Sequence, residues 1–201
     1  MDNVNSVAGE TLDIFNRTGA YLRGHFRLTS GLHSPEYLQC ALVLQHPGDA
    51  EVLGNYLAER IVALAPDVPP QVVVAPAMGG LIIGHEVARA LGVRFIFTER
   101  DPATRAMVLR RGFRIQPGEN AVVVEDVVTT GGSSKEVVDL LRGAGANVTA
   151  AGSIIDRSGG NADIGVPRVA LATLKVTTYN EAECPMCREG VPVVKPGSRP
   201  A

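Results

Sequence analysis

The chain has 201 residues, 45% hydrophobic and 20% charged, with a formal net charge of −2, a balance that suits one domain with a sizeable core and excludes a disordered chain. A mean hydropathy of +0.12 agrees with a globular chain, a pI near 6.1 argues against a broad nucleic-acid surface, and the apolar runs are too short to span a bilayer. Three cysteines and a first decapeptide reading MDNVNSVAGE lead us to expect a cytoplasmic protein without an export signal.

In chain order, residues 7–22 read as an amphipathic helix through Leu12, Ile14 and Phe15. Residues 26–44 look extended and turn-rich, punctuated by Gly31 and Pro35, and Pro47-Gly48-Asp49 opens a helix over 47–64. These parts make a poor parallel-sheet unit and suit a small N-terminal cap. Alternation follows: strand 71–75, helix 80–91, strand 93–97, a strand over 107–113 that returns from a loop, strand 121–125, helix 133–142, and strands 147–155 and 168–176. The pattern predicts an α/β fold, a central parallel sheet flanked by helices. We read a single domain: cap 1–66, α/β core 67–180, and a Pro/Gly-rich, irregular tail 181–201.

The most informative stretch is Val122-Val123-Val124-Glu125-Asp126-Val127-Val128-Thr129-Thr130-Gly131-Gly132-Ser133-Ser134. The valine run suits a strand buried on both faces. Ser133 and Glu136 have capping-box spacing at the start of the next helix, and Gly143 is a natural stop. Strand, tight loop and helix place a ligand at the carboxyl end of a strand. Gly131 and Gly132 allow close backbone approach. Helix-start N–H groups, with the hydroxyls of Thr129, Thr130 and Ser133, suit an anion. Glu125 and Asp126 would repel a phosphate but accept hydrogen bonds from two vicinal sugar hydroxyls, and they can sit near a phosphate-bound Mg²⁺. A plain surface turn gives no reason for paired acids directly after a buried valine run. Neither a P-loop nor a Rossmann fingerprint is present. Arg94, Arg100, Arg105, Arg110, Arg111 and Arg114 crowd one short region. Any single one of them reads more readily as part of a solvated basic hairpin, but together they suit a polyanionic substrate.

The segment VVVEDVVTTGGSS resembles the phosphoribosyl pyrophosphate (PRPP) motif of the type I phosphoribosyltransferases. FRLTSGLHSPEYLQ (26–39), VVVAPAMGGLIIG (72–84), FTERDPATRAMVLRRGF (97–113) and IIDRSGG (154–160) are similar to segments of the orotate-specific branch. The resemblance implies Mg²⁺-dependent transfer of ribose 5-phosphate from PRPP to orotate, giving orotidine 5′-monophosphate and pyrophosphate in pyrimidine nucleotide synthesis. It assigns PRPP contacts to Arg100, Glu125, Asp126, Val127, Val128, Thr129, Thr130, Gly131, Gly132 and Ser133, and orotate contacts to Thr129 and Arg157, with Tyr37 as a wall over the base. Ala77, Met78 and Gly79 would wrap the pyrophosphate in a loop where a non-proline cis peptide can occur. Asp126 and Arg105 would be catalytic. Mg²⁺ would ride on PRPP with no direct protein ligand. A homodimer is implied, the loop 101–106 of one subunit closing its partner's site, with no nucleic-acid or membrane partner.

The match departs in its lysines. Thr29 and Gly79 stand where many orotate enzymes carry them, the mobile loop is short and lacks the family's histidine, and Arg105 is the only cation near its tip. Arg105 is expected to replace the loop lysine. A purine phosphoribosyltransferase and a non-catalytic PRPP-binding regulator remain as alternatives. Arg157 speaks against the first, because orotate carries a carboxylate that a guanidinium grips. The absence of an added DNA-binding module speaks against the second. Arg157 could instead pair with Asp156 or Asp163. Cys184-Pro185-Met186-Cys187 could be half a zinc site or a redox pair. With no second pair and with His25, His33, His46 and His85 far away in sequence, two plain thiols are the expectation, and four thiolates pooled between two subunits the alternative. Cys40 reads as a small buried apolar residue.

Overall fold

The computed structural model describes residues 2–28 and 30–196. Thr29 and the last tail residues lie outside them. Helix α1 (Asp2–Arg17) runs into a two-stranded antiparallel hairpin of β1 (Tyr21–Arg27) and β2 (His33–Leu38). This corrects the predicted helix over 7–22. Gly19 is left-handed (φ 66°) and Ala20 N–H donates back to Phe15 O at 2.8 Å, which stops the helix before Tyr21. After the short α2 (Cys40–Leu44), helix α3 (Pro47–Leu64) begins with Pro at its first turn.

The main sheet follows: β3 (Val72–Pro76), α4 (Gly80–Leu91), β4 (Arg94–Arg100), β5 (Met107–Leu109), β6 (Asn120–Val128), α5 (Gly132–Gly143), β7 (Asn147–Asp156) and β8 (Arg168–Thr173). Its order is β5-β4-β3-β6-β7-β8. All neighbours are parallel except β5, which returns antiparallel along β4. The expected parallel sheet is therefore a mostly parallel one with an antiparallel edge, because residues 101–106 reverse the chain.

From Ala121 to Val124 the side chains of β6 alternate between two fully buried faces. Val122 and Val124 meet the cluster of Leu53, Leu57, Ile83 and Val87 from α3 and α4. Val123 joins Val72, Val74, Val137, Val138 and Leu141 under α5. Each such side chain contributes roughly 1.5–3 kcal/mol of burial, so the valine run anchors the strand that carries Glu125 and Asp126.

Two further expectations are corrected. The Ser133/Glu136 capping box does not form. Gly131, left-handed at φ 81°, caps α5 with no side-chain bond, and Glu136 turns outward to Arg100. Gly143 is the last helical residue, and left-handed Gly145 makes the turn after it. The tail is not simply irregular either. A 3₁₀ turn (Glu181–Glu183) and α6 (Pro185–Arg188) lie in a segment that bridges back to the hairpin, Tyr179 to His33 and Val194 to Phe26. Among the described residues, no helix is long and apolar enough to cross a membrane.

Candidate active site

The order of the sheet reverses between β3 and β6: β3 leads on to β4 on one side, and β6 to β7 on the other. In open α/β sheets, ligands bind outside the carboxyl ends of the strands at this switch point. Here those ends are Pro76 and the Glu125–Val128 segment. Between them opens a cleft of about 400 Å³, lined by Pro76, Ala77, Met78, Gly79 and Gly80 on one wall, by Glu125, Asp126 and Ser133 on another, and by Arg100, Arg105 and Met107 from β4 and β5. Its volume suits a small polar ligand.

The two acids are unlike surface carboxylates. Burial pushes Glu125 up to about 7, against the hydrogen bond it accepts from Ser134 Oγ. Burial also raises Asp126, whose Oδ1 accepts the Val127 N–H at 2.9 Å. A cavity that brings sugar hydroxyls to these oxygens, with a cation nearby, favours their charged forms.

Gly79 faces Asp126 so closely that a Cβ on it would lie 2.4 Å from Asp126 Oδ1. The Ala77–Met78 peptide is cis, and Met78 is exposed. A side chain at Gly79 would meet this carboxylate, so either the loop or Asp126 would have to shift to admit one.

Arg100 binds Glu136 with both nitrogens, Nη1 to Oε2 at 2.8 Å and Nη2 to Oε1 at 3.2 Å. It also donates to Arg105 O at 2.7 Å and Ser133 Oγ at 3.4 Å. The connecting loop is a tight turn. Asp101 Oδ1 accepts the N–H groups of Ala103 and Thr104, which hold its carboxyl below the usual range. Arg105 adopts a left-handed backbone (φ 63°) and lines the cleft of its own chain.

Arg157 follows β7 and lies outside the cleft lining. It is partly buried, burial lowers its pKa, and its Nε has no hydrogen-bond partner among the described residues. Its electrostatic neighbour is Tyr37 of the hairpin. Asp156 does not pair with it, because that carboxylate takes Arg168 at 3.0 Å and the Ser158 and Gly160 N–H groups. Thr129 and Thr130 are exposed and Val128 is buried. The lining therefore brings together Arg100, Arg105, Glu125, Asp126, Ser133 and the Ala77–Gly79 loop, while Val127 through Gly132 and Arg157 stand beside it. The sequence reading missed Ser134, which positions Glu125. Its place in the first turn of α5, directly after the glycine turn, was the available signal.

A family model for the phosphoribosyl transferase domain matches residues 43–171. The chain is 54% identical over 190 residues to the orotate phosphoribosyltransferase of Pelotomaculum thermopropionicum, covering 94% of this chain and 97% of that protein. It is 52% identical over 193 residues to that of Heliobacterium modesticaldum, covering 94% and 97%. Its fold is similar to the crystal structure of orotate phosphoribosyltransferase from Aeropyrum pernix, with TM-score 0.67 at 29% identity over 81% of this chain and 93% of that one. The chain belongs to the phosphoribosyltransferase family, in its orotate phosphoribosyltransferase branch.

Proposed function

We propose that the cleft binds PRPP with Mg²⁺ and transfers its ribose 5-phosphate to orotate. The observation that carries the choice of orotate is Arg157, a partly buried guanidinium beside Tyr37 whose Nε has no partner among the described residues. A buried cation of this kind wants an anion, and the orotate carboxylate supplies one in a geometry a guanidinium grips with two nitrogens.

A ring nitrogen of orotate attacks the anomeric carbon as the bond to pyrophosphate breaks, with positive charge developing on the ribose ring. Glu125 and Asp126 accept hydrogen bonds from the 2′- and 3′-hydroxyls and face that charge. The α5 start, left without a side-chain cap, receives the 5′-phosphate on its free N–H groups, with Thr129, Thr130 and Ser133 around it. The Ala77–Gly79 loop wraps the pyrophosphate. Arg105 and Arg100 stabilise the leaving group. The buried oxygen donors of Glu125 and Asp126 fit a hard cation held mainly by PRPP itself, and Mg²⁺ when bound supplies charge neutralisation on the pyrophosphate. In this reading the chain is one domain, with residues 1–66 as the cap over the base, 67–180 as the core and 181–201 as the tail. It works in a reducing cytoplasm, which its free cysteines suit.

The test is incubation with PRPP, Mg²⁺ and each of orotate, uracil, adenine, hypoxanthine and xanthine. Orotate alone should turn over, and Arg157→Ala should raise KM for orotate at least about tenfold while leaving KM for PRPP within a factor of about two. Turnover of a purine in place of orotate sinks the reading, and PRPP binding without turnover favours a regulator.

We also propose a homodimer in which residues 101–106 close over the partner's cleft. Arg105→Ala should lower kcat about a hundredfold or more. Mixing it with Asp126→Asn should restore part of the activity. An Arg105→Ala variant of unchanged kcat removes Arg105 as the substitute for the loop lysine, and mixtures without recovery argue for action within one chain.

A further inference from the structure

We propose that His25, His33, Cys184 and Cys187 form a structural Zn²⁺ site that clasps the C-terminal segment to the N-terminal hairpin. Nothing in the transfer reaction uses these residues. They come from β1, β2 and the short α6 region, and their ligand atoms all lie within 4.8 Å of one another. The expectation of two plain thiols rested on the histidines being distant in sequence, and the fold brings two of them to the thiols.

The distances fit a four-ligand shell. With Zn–N near 2.0–2.1 Å and Zn–S near 2.3 Å, a tetrahedron has edges of about 3.3–3.8 Å. Cys184 Sγ lies 3.5 Å from His25 Nε2, and Cys187 Sγ lies 3.6 Å from His25 Nε2 and 3.3 Å from His33 Nδ1. The two ring nitrogens are 2.7 Å apart, so binding would part them by about 0.6 Å to reach that edge. A hydrogen bond between the rings accounts for this one contact but not for two thiols converging on the same nitrogens.

The second observation is the orientation of His25. Its Nδ1 lies 2.7 Å from Val191 O. A carbonyl only accepts, so Nδ1 carries the proton and Nε2 presents its lone pair to the cluster. A backbone carbonyl that fixes the tautomer in this way is the usual support of a metal-bound imidazole. Burial agrees: His25, His33 and Cys184 are 3%, 2% and 0% exposed. Polar groups so placed need partners.

Two thiolates and two imidazoles, all from the protein, select zinc over a hard cation and make a closed, structural site. It is distinct from the oxygen-lined cleft where Mg²⁺ would sit. The fold supplies a reason for it. A two-stranded hairpin is marginal by itself, and the tail meets it through isolated bridges at His33–Tyr179 and Phe26–Val194. An ion joining β1, β2 and the α6 segment of the tail would fix the hairpin and with it Tyr37. The effect on orotate rests on the function proposed above; the site itself does not.

The experiment uses the full chain purified without chelator or metal-affinity resin. Elemental analysis should find about one zinc per chain, and the Co²⁺-substituted protein should show tetrahedral visible bands with thiolate charge transfer. Cys184→Ser/Cys187→Ser should lose the metal, melt more than about 5 °C lower, and show a higher KM for orotate with KM for PRPP unchanged. Because that variant could fail to fold, the wild type decides. Less than about a tenth of a zinc per chain after supplying Zn²⁺, stoichiometric iron, or a Cys184–Cys187 disulfide in the native protein each overturns the proposal. Zinc bound without orotate turnover would instead overturn the functional reading alone.

Discussion

The cradle at the end of β6 and the junction of hairpin and tail are built on opposite plans. The cradle is one continuous segment: a valine strand, two acids, a glycine turn and a helix start within residues 122–134. The junction joins residues 21–38 to residues 179–194 through a few backbone bonds, Arg27 N–H to Val194 O at 2.9 Å and Val194 N–H to His25 O at 2.8 Å among them. In the first, local sequence sets the geometry, and tertiary packing of Val122, Val123 and Val124 only seats it. In the second, the hairpin and the tail each have local structure, but their junction exists only where the two meet. A locally determined site should respond to substitution through catalysis, and a non-local one through stability.

The sharpest way to break this contrast lies at Gly79. A Cβ there would stand 2.4 Å from Asp126 Oδ1 and 2.7 Å from Cγ, so Gly79→Ala must displace either the loop or the carboxylate. A misplacement of about 1 Å in a catalytic group costs on the order of a hundredfold, and kcat/KM should fall by at least that much. Gly79 is exposed, so the melting temperature should hardly move. Gly79→Lys should be no better than alanine, even though it supplies the residue common in the branch. An alanine variant with near-normal turnover shows that Asp126 is free to withdraw, and the cradle is then less fixed than its packing implies.

What could be read from the sequence follows the same division. The helices over 47–64 and 80–91 were legible to the residue, because Pro47 and the Gly79–Gly80 and Gly92 boundaries punctuate them locally. The strand over 121–125 was legible because its apolar run is bounded by acids, although it continues to Val128. Gly19 was overlooked as a helix stop, since Leu22 keeps the hydrophobic period beyond it. The capping box at Ser133 and Glu136 failed because Arg100, remote in sequence, competes for both side chains. Arg157 remained ambiguous for a similar reason: its neighbour Asp156 is claimed by Arg168, twelve positions on. His25 and His33 gave no signal at all as partners of Cys184 and Cys187, because nothing local records that the tail returns to the hairpin.

Glu125 offers a test of intermediate size. Its carboxyl lies near 7, raised from an ordinary 4.5 by burial. The folded free protein therefore keeps a proton that the unfolded chain releases between those values. That stabilisation is complete below the unfolded pKa and lost as pH rises through about 7. Sugar hydroxyls that donate to Glu125 prefer the carboxylate, so ligand binding opposes the trend. Ribose 5-phosphate should bind more tightly as pH rises, by up to about tenfold per unit below 7, and level off above it. Glu125→Gln should flatten both profiles, and comparing it with the wild type cancels the titration of the sugar phosphate itself. Parallel profiles for the two proteins, measured by thermal shift and calorimetry, would remove Glu125 from the ribose site.

The smallest effect separates a competitor from a positioning group. Glu136 holds Arg100 bidentately in the free protein, the Arg100 side chain 27% and the Glu136 side chain 46% exposed. PRPP must draw the same guanidinium away if Arg100 is to meet a phosphate. An exposed pair is worth at most about 1 kcal/mol after solvent screening, so Glu136→Gln should lower KM for PRPP only about two- to fivefold at low ionic strength. The gain should shrink in salt, which screens the pair being removed. kcat should not change, because Arg100 reaches the same phosphate once bound. A raised KM would mean the reverse: Glu136 aims Arg100 at the cleft, and the anion site depends on α5 for a side chain as well as for its backbone.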